Sequence, residues 1–274
     1  MHTVLSNLVE TMSRSYTISK YRNNQTVLVD DPIAIEEPLE IRIEGRSIAV
    51  LMRQPERSED IELVTGFLLT EGVIEDKEDI HAIQHITDPI DPKYNTVDVV
   101  LASGVPAKRR HSADRNLFAS SSCGICGKAT QDRIWQHFPP LPSLRPLPSD
   151  AWICRTPNIM RQAQKQFGQT GGTHAAALFA LDGELLVLRE DVGRHNAVDK
   201  VIGWGIQQDL SGTDLVLLVS GRVAFEIAQK ALAFRIPIIM AIGAPSSLAI
   251  ELCRGSNIHL VGFLKEHGFN HYTP

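Results

Sequence analysis

The sequence predicts an α/β protein, with a three-layer α/β/α domain around a mixed sheet and a smaller β-rich part ahead of it. Three observations predict this. From about residue 151 onward, helical and strand patterns alternate in the order αββαβαβαβ. Within that stretch, runs such as Leu215-Val216-Leu217-Leu218-Val219 are apolar at every position, as strands covered on both faces must be. Ahead of it, Leu39-Glu40-Ile41-Arg42-Ile43 and Ile48-Ala49-Val50-Leu51-Met52 read as two strands, with Gly45 between them as a hairpin signal.

The elements follow in chain order. Residues 1–26 are polar and read as a disordered N-terminus. Residues 27–103 form the β-rich part, which also holds one helix. Ser58 looks like its N-cap, Glu59, Asp60 and Glu62 suit the dipole of the first turn, and Ile61, Val64, Phe67 and Leu68 share a side. That helix stops near Gly72, and Val97 to Leu101 reads as a further strand. Residues 104–150 differ in texture. A basic run (Lys108, Arg109, Arg110, His111, Arg115) leads through three serines to Cys123-Gly124-Ile125-Cys126, and prolines crowd the stretch from Pro139 to Pro148. This reads as a mobile cysteine loop followed by a proline-stiffened linker. Residues 151–274 form the α/β/α core. It opens on a helix begun by Thr156-Pro157 and ended before Gly168, with a hairpin around Asp182-Gly183 next. Helix 194–207, strand 215–220, helix 223–233, strand 237–242, helix 246–254 and strand 258–263 complete it.

Composition narrows the function. With 43% hydrophobic and 22% charged residues the chain can build an ordinary core, and its net charge of -5 argues against a nucleic-acid or anionic-membrane binder. No apolar run is long enough to span a bilayer, since Pro237, Gly243 and Pro245 interrupt the most apolar stretch. The N-terminus lacks a basic head before an apolar segment, so it does not read as a secretory signal. Four cysteines, two paired and two isolated (Cys154, Cys253), are too few for a disulfide scaffold and fit a reducing cytoplasm.

The sharpest chemical signal is the cysteine pair. Gly124 and Gly127 leave the backbone open around it, and the nearby basic run favours the thiolate. An exposed, activated Cys123 thiolate, with Cys126 as partner, suits a group carrier that enters two partner sites in turn. Half of a structural zinc site is the rival reading; it needs four ligands, usually from two close cysteine pairs, and the sequence has no second CxxC. Other clusters fall at predicted strand ends: Thr170-Gly171-Gly172-Thr173-His174, Glu190-Asp191-Val192-Gly193-Arg194-His195, Ser220-Gly221-Arg222 and Phe263-Leu264-Lys265-Glu266-His267-Gly268. Free N–H groups beside Arg194 and His195 would make a phosphate or pterin corner, and Arg222 could grip a phosphate. The plainer reading makes His195 and Asp199 a surface pair one turn apart and Ser220 a cap. Convergence of these clusters on one sheet edge favours a ligand pocket.

Together these segments resemble the formate dehydrogenase accessory sulfurtransferase family (FdhD/NarQ), from about residue 27 onward. The resemblance is carried by Glu37-Pro38-Leu39, the run Gly66 to Gly72, Ser122 to Gly127, Thr170 to Ala175, the string Glu190 to Lys200, Ser220-Gly221-Arg222 and Leu260-Val261-Gly262-Phe263. It implies a cytidine-deaminase-like core and a cytoplasmic homodimer. It further implies that a cysteine desulfurase loads a persulfide onto Cys123. The sulfur then passes to the bis(molybdopterin guanine dinucleotide) molybdenum cofactor, bound as an acceptor rather than permanently attached, before formate dehydrogenase receives it. The family's cofactor-binding stretch falls on Phe263, Leu264, Lys265, Glu266, His267 and Gly268, with His195 and Arg222 as further candidates. Relatives often carry a proline, a glycine and an arginine where this chain has Glu266, His267 and Gly268, which leaves Lys265 as the cation there. The zinc deaminase signature is absent, so the fold does not bring deaminase chemistry. No resident metal is expected.

Overall fold

A computed structural model describes residues 12–86, 94–106 and 134–274. The described residues open on a hairpin whose first strand the sequence reading left without structure: β1 (Ser13–Arg22) pairs with β2 (Gln25–Ala34). The reason is Asn23-Asn24, both in the left-handed region (φ 51° and 61°), the conformation of a two-residue turn that matches strand twist. Thr17 Oγ1 donates to Asp30 across the strands at 2.7 Å.

Strands β3 (Glu37–Ile43) and β4 (Arg46–Arg53) form the expected hairpin, turned by Glu44 and Gly45 (φ 50° and 79°). With β5 (Ile80–Ile86) and β6 (Thr96–Leu101) they make a four-stranded sheet in the order β4-β3-β6-β5. Helix α1 spans Arg57–Thr70. Its N-cap is Glu56 and not Ser58, whose hydroxyl donates to the Glu56 carboxylate from inside the first turn. The helix is buried nearly all round, Asp60 and Glu62 included, because it lies between this sheet and the C-terminal part.

In the C-terminal part the single helix expected after Thr156 is broken. Short α2 (Asp150–Ile153) precedes α3 (Thr156–Ala163), and α4 (Lys165–Thr170) follows a break at Gln164. The Glu190 carboxylate accepts the N–H groups of Gln166 and Phe167 at 2.8 and 2.7 Å, so a new helix start is drawn to a buried anion. The remaining elements follow the predicted order: β7 (His174–Ala180), β8 (Leu185–Asp191), α5 (Arg194–Gln207), β9 (Leu215–Val219), α6 (Phe225–Ala233), β10 (Ile238–Ala241), α7 (Ser247–Gly255) and β11 (His259–Lys265). A strand not foreseen, β12 (Gly268–His271), turns back on β11.

The six-stranded sheet runs β12-β11-β10-β9-β7-β8, with β9, β10 and β11 parallel and the remaining pairings antiparallel. Both faces are buried, and membership alternates along each strand. Leu215, Leu217 and Val219 join the cluster under α5, α6, α7 and α1, whereas Val216 and Leu218 join Trp152, Ile153 and Met160 of α2 and α3. This is the predicted three-layer arrangement. The first cluster also holds Leu39, Ile41, Val97 and Val99, so the N-terminal sheet shares a core with the rest. At the α1–α5 crossing the helices touch backbone to backbone. A Cβ on Gly66 would lie 1.9 Å from Asp199 O, and one on Gly203 would lie 1.8 Å from Glu62 O. No helix among the described residues is long and apolar enough to cross a membrane.

Candidate functional site

Strand direction brings the predicted clusters together. Because β7 is antiparallel to both β8 and β9, its first residue, His174, lies at the sheet end where β8, β9 and β10 finish. The loops there are stitched backbone to backbone: Ser220 N donates to Ala175 O (2.9 Å), Gly243 N to Gly221 O (3.2 Å) and Phe263 N to Gly243 O (3.0 Å). Glycine is required at 243, since a Cβ would stand 2.7 Å from Gly221 O. Space above Gly221 is shared by His174 Nδ1 and Arg194 Cδ, 3.4 and 3.7 Å from where its Cβ would be. Ser220 is no helix cap; its Oγ accepts the N–H of Ala175 at 2.9 Å and ties β9 to β7.

The string from Glu190 to Lys200 has a largely structural part. Glu190 holds α4 and Thr173. Asp191 pairs with Lys200 at 2.8 Å, both of them buried, and its carboxylate also accepts the N–H groups of Gln54 and Gly193 and the amide of Asn196. Burial pushes the Lys200 ammonium down, but Asp191 and Glu59 outweigh it and hold the group above its ordinary range. Asp199 is not on the surface beside His195. It is buried, and Lys230 reaches both its oxygens at 2.9 and 2.8 Å while Thr70 Oγ1 donates to it at 2.9 Å. These two ion pairs clamp α5 to α1, α6 and the β4–α1 connection.

Arg194, His195 and His174 are left over from that clamp. Arg194 Nε and His195 Nε2 are buried polar atoms with no hydrogen-bond partner. Burial, Arg194 and Lys230 push the His195 imidazole down to about 4. Burial and then Arg194 lower His174 too. At neutral pH the corner therefore holds two uncharged imidazoles beside one guanidinium, a set that can receive an anion and take up a proton. Arg222 is exposed one residue from Gly221.

The stretch Phe263 to Gly268 is the end of β11, a turn at Glu266-His267 and the start of β12 rather than an open loop. Phe263 sits at an irregularity in the β11–β12 pairing with φ 51° and a 47% exposed side chain. For a residue other than glycine that conformation is strained, and such strain concentrates at functional sites. Leu264 is only 1% exposed and packs in the core with Trp152 and Met160, so its side chain does not face a ligand. Lys265, Glu266 and His267 are exposed. Cys123 and Cys126 lie outside the described residues. The chain re-enters at Ile134, fully buried, and Trp135 donates its indole N–H to Ser256 at 2.9 Å. Ser256 follows α7 and precedes β11, so this anchor stands at the sheet end opposite the His174–Arg194 corner. Cys253 is buried in α7 and its thiol is pushed far up by burial. Among the described residues no cluster of three His, Cys, Asp or Glu is placed to hold a metal ion.

The FdhD/NarQ family profile matches residues 34–274. The chain belongs to the FdhD/NarQ family. Proteins named sulfur carrier protein FdhD resemble it along most of their length. That of Mycolicibacterium paratuberculosis is 46% identical over 254 residues, 91% of this chain and 92% of that one. That of Streptomyces coelicolor is 44% identical, covering 89% of this chain and 87% of the other. A crystal structure described as a candidate formate dehydrogenase accessory protein of Desulfotalea psychrophila superposes with a TM-score of 0.74 at 26% identity, over 96% of this chain and 98% of that one. Sequence reasoning gave no role to Lys230 or to the Thr70 hydroxyl, whose partner Asp199 is far away in the chain.

Proposed function

We propose that this protein is a cytoplasmic sulfurtransferase, a sulfur carrier for formate dehydrogenase maturation. Cys123 takes sulfur from a cysteine desulfurase, and the acceptor is the bis(molybdopterin guanine dinucleotide) molybdenum cofactor. The observation that carries the reading is the corner at the strand ends, where Arg194 Nε and His195 Nε2 are buried without partners, in a chain whose relatives are named sulfur carriers. An unmet buried donor loses ~1–3 kcal/mol, which a ligand's anionic oxygen restores. Arg222, Lys265 and the exposed face of Phe263 extend the same edge and suit the phosphates and base of a guanine dinucleotide.

The chemistry has two balanced steps. The Cys123 thiolate attacks the outer sulfur of the donor's persulfide; the donor leaves as a thiolate and Cys123 holds S–SH. The Cys126 thiolate then attacks the Cys123 sulfur, forming a disulfide and releasing hydrosulfide beside the acceptor. His195, uncharged and with Nε2 unengaged, would accept a hydrogen bond from the hydrosulfide beside the acceptor. The protein acts as a homodimer and binds neither nucleic acid nor membrane.

Two measurements test this. Sulfur-35 from labelled cysteine, passed through a desulfurase, should reach the wild-type chain and not Cys123→Ala, and that variant should fail to restore formate dehydrogenase activity. A Cys123→Ala/Cys126→Ala chain that restores full activity would leave a cofactor-binding chaperone in place of a carrier. Stoichiometric zinc lost on that substitution would make the pair a structural site. Guanosine diphosphate is the second probe: its affinity should fall about tenfold in Arg194→Ala or Arg222→Ala, the loss of one charge-assisted contact.

A further inference from the structure

Among the described residues the mixed sheet ends at β8. A groove of about 520 Å³ runs beside that strand, lined by Leu186 and Leu188, by Trp204 of α5, by Gln54 and Glu56 from the β4–α1 connection and by Gln166 of α4. An edge strand offers a ready row of backbone donors and acceptors to another chain. Here two of its carbonyls already have side-chain donors, Arg189 Nη1 on Leu188 O (3.1 Å) and Lys200 Nζ on Glu190 O (3.2 Å).

The groove wall is short of donors. The amide oxygens of Gln54 and Gln166 are buried and accept no hydrogen bond. Gln54 is 0% exposed, and its amide nitrogen donates to Met12 O at 3.0 Å, which fixes the oxygen on the other side. Glu56 is half-buried and raised by burial and by Glu59, with the Ser58 hydroxyl as its donor. Of the neighbouring cations, Arg189 is engaged by Glu62 and Lys200 by Asp191 and Glu59, and Lys165 of α4 also lines the groove, so the carboxylates of Glu56, Glu59 and Glu190 outnumber the cations of its lining, Lys165 and Arg189. Leucine and tryptophan side chains, a strand edge only partly occupied by side-chain donors and the unmet amide oxygens of Gln54 and Gln166 suit an extended backbone with N–H groups and a positive charge.

We propose that this groove receives an extended segment of a partner protein carrying lysine or arginine, which adds as a further strand along β8 with its cation at Glu56. Charge selects this occupant. A nucleotide would bring phosphates to a carboxylate. The chain's own residues 1–11, which lead into the groove at Met12, contain no lysine or arginine and carry the acidic Glu10.

The test uses the full chain and three capped octapeptides: alternating valine and lysine, the same with glutamate for lysine, and the lysine peptide N-methylated at alternate backbone positions. Fluorescence anisotropy should show saturable binding of the first, none of the second, and about tenfold weaker binding of the third, because methylation removes ladder donors. Bound lysine peptide should slow amide exchange in Leu185–Glu190, and Glu56→Gln should weaken it about fivefold with an unchanged melting temperature. Equal affinity for the lysine and glutamate peptides, absent saturation, or unprotected β8 amides would overturn the proposal. So would tighter binding of a peptide copied from residues 2–10, which would give the groove to the chain's own N-terminus.

Discussion

Replacing Lys230 with methionine strands the Asp199 carboxylate in the core. In the native protein the ammonium lies 2.9 and 2.8 Å from the two Asp199 oxygens and 2.9 Å from Thr70 Oγ1, and Lys230 and Asp199 are 4% and 2% exposed. Methionine matches the length of the stem, so packing changes little and the cost is electrostatic. Removing one partner of a buried pair leaves an uncompensated charge, a loss of ~3–5 kcal/mol out of a typical total of ~5–15. Burial already pushes the Asp199 carboxyl up, against the pull of Lys230. In the variant it takes a proton more readily, so the loss shrinks as pH falls. Urea unfolding followed by circular dichroism at several pH values measures this. Adding Asp199→Asn should return ~1–3 kcal/mol, because the second change removes the stranded charge. The same variant should raise the His195 imidazole from about 4 toward its ordinary value, since Lys230 is one of the charges that lower it. A loss below ~1 kcal/mol, or two losses that simply add, would refute the reasoning.

Three further outcomes are expected. Because His195 is held at about 4 in the fold but titrates near 6.5 when unfolded, its contribution is complete above pH 6.5 and declines as pH falls toward 4. The slope is at most ~1.4 kcal/mol per pH unit, and stability curves of His195→Gln should be flatter over that window. Gly203→Ala should destabilise by more than the ~1–3 kcal/mol of ordinary overpacking, because its new methyl meets the Glu62 carbonyl rather than a movable side chain; thermal unfolding reads this. Phe263→Gly should hold or raise stability, by up to ~1 kcal/mol, since glycine accepts φ 51° without strain, while weakening guanosine diphosphate binding. Lower stability together with unchanged nucleotide affinity would make Phe263 a packing residue.

The strands and helices of the mixed sheet were legible because both-face burial leaves continuous apolar runs such as Leu215–Val219, and their order dictated three layers. The convergence of His174, Arg194, Gly221 and Phe263 was legible for the same reason, since strand ends share an edge once direction is known. Other features are set by distant partners. The break at Gln164 comes from the Glu190 carboxylate more than twenty residues on. Asp199 looked like a surface partner of His195 because an i,i+4 pattern carries no information about Lys230 on another helix. The N-terminal hairpin was missed because its polar residues read as disorder, although Asn23-Asn24 carried the turn signal. Leu264 was assigned to the ligand with its neighbours, yet strand alternation sends it inward to Trp152.

Intact-mass spectrometry of the chain after incubation with a cysteine desulfurase and cysteine addresses the carrier role most directly. The account predicts the gain of one sulfur on the peptide holding Cys123, removed by reductant, retained in Cys126→Ala and absent in Cys123→Ala. An unmodified Cys123 peptide under conditions where the desulfurase itself is loaded would contradict it.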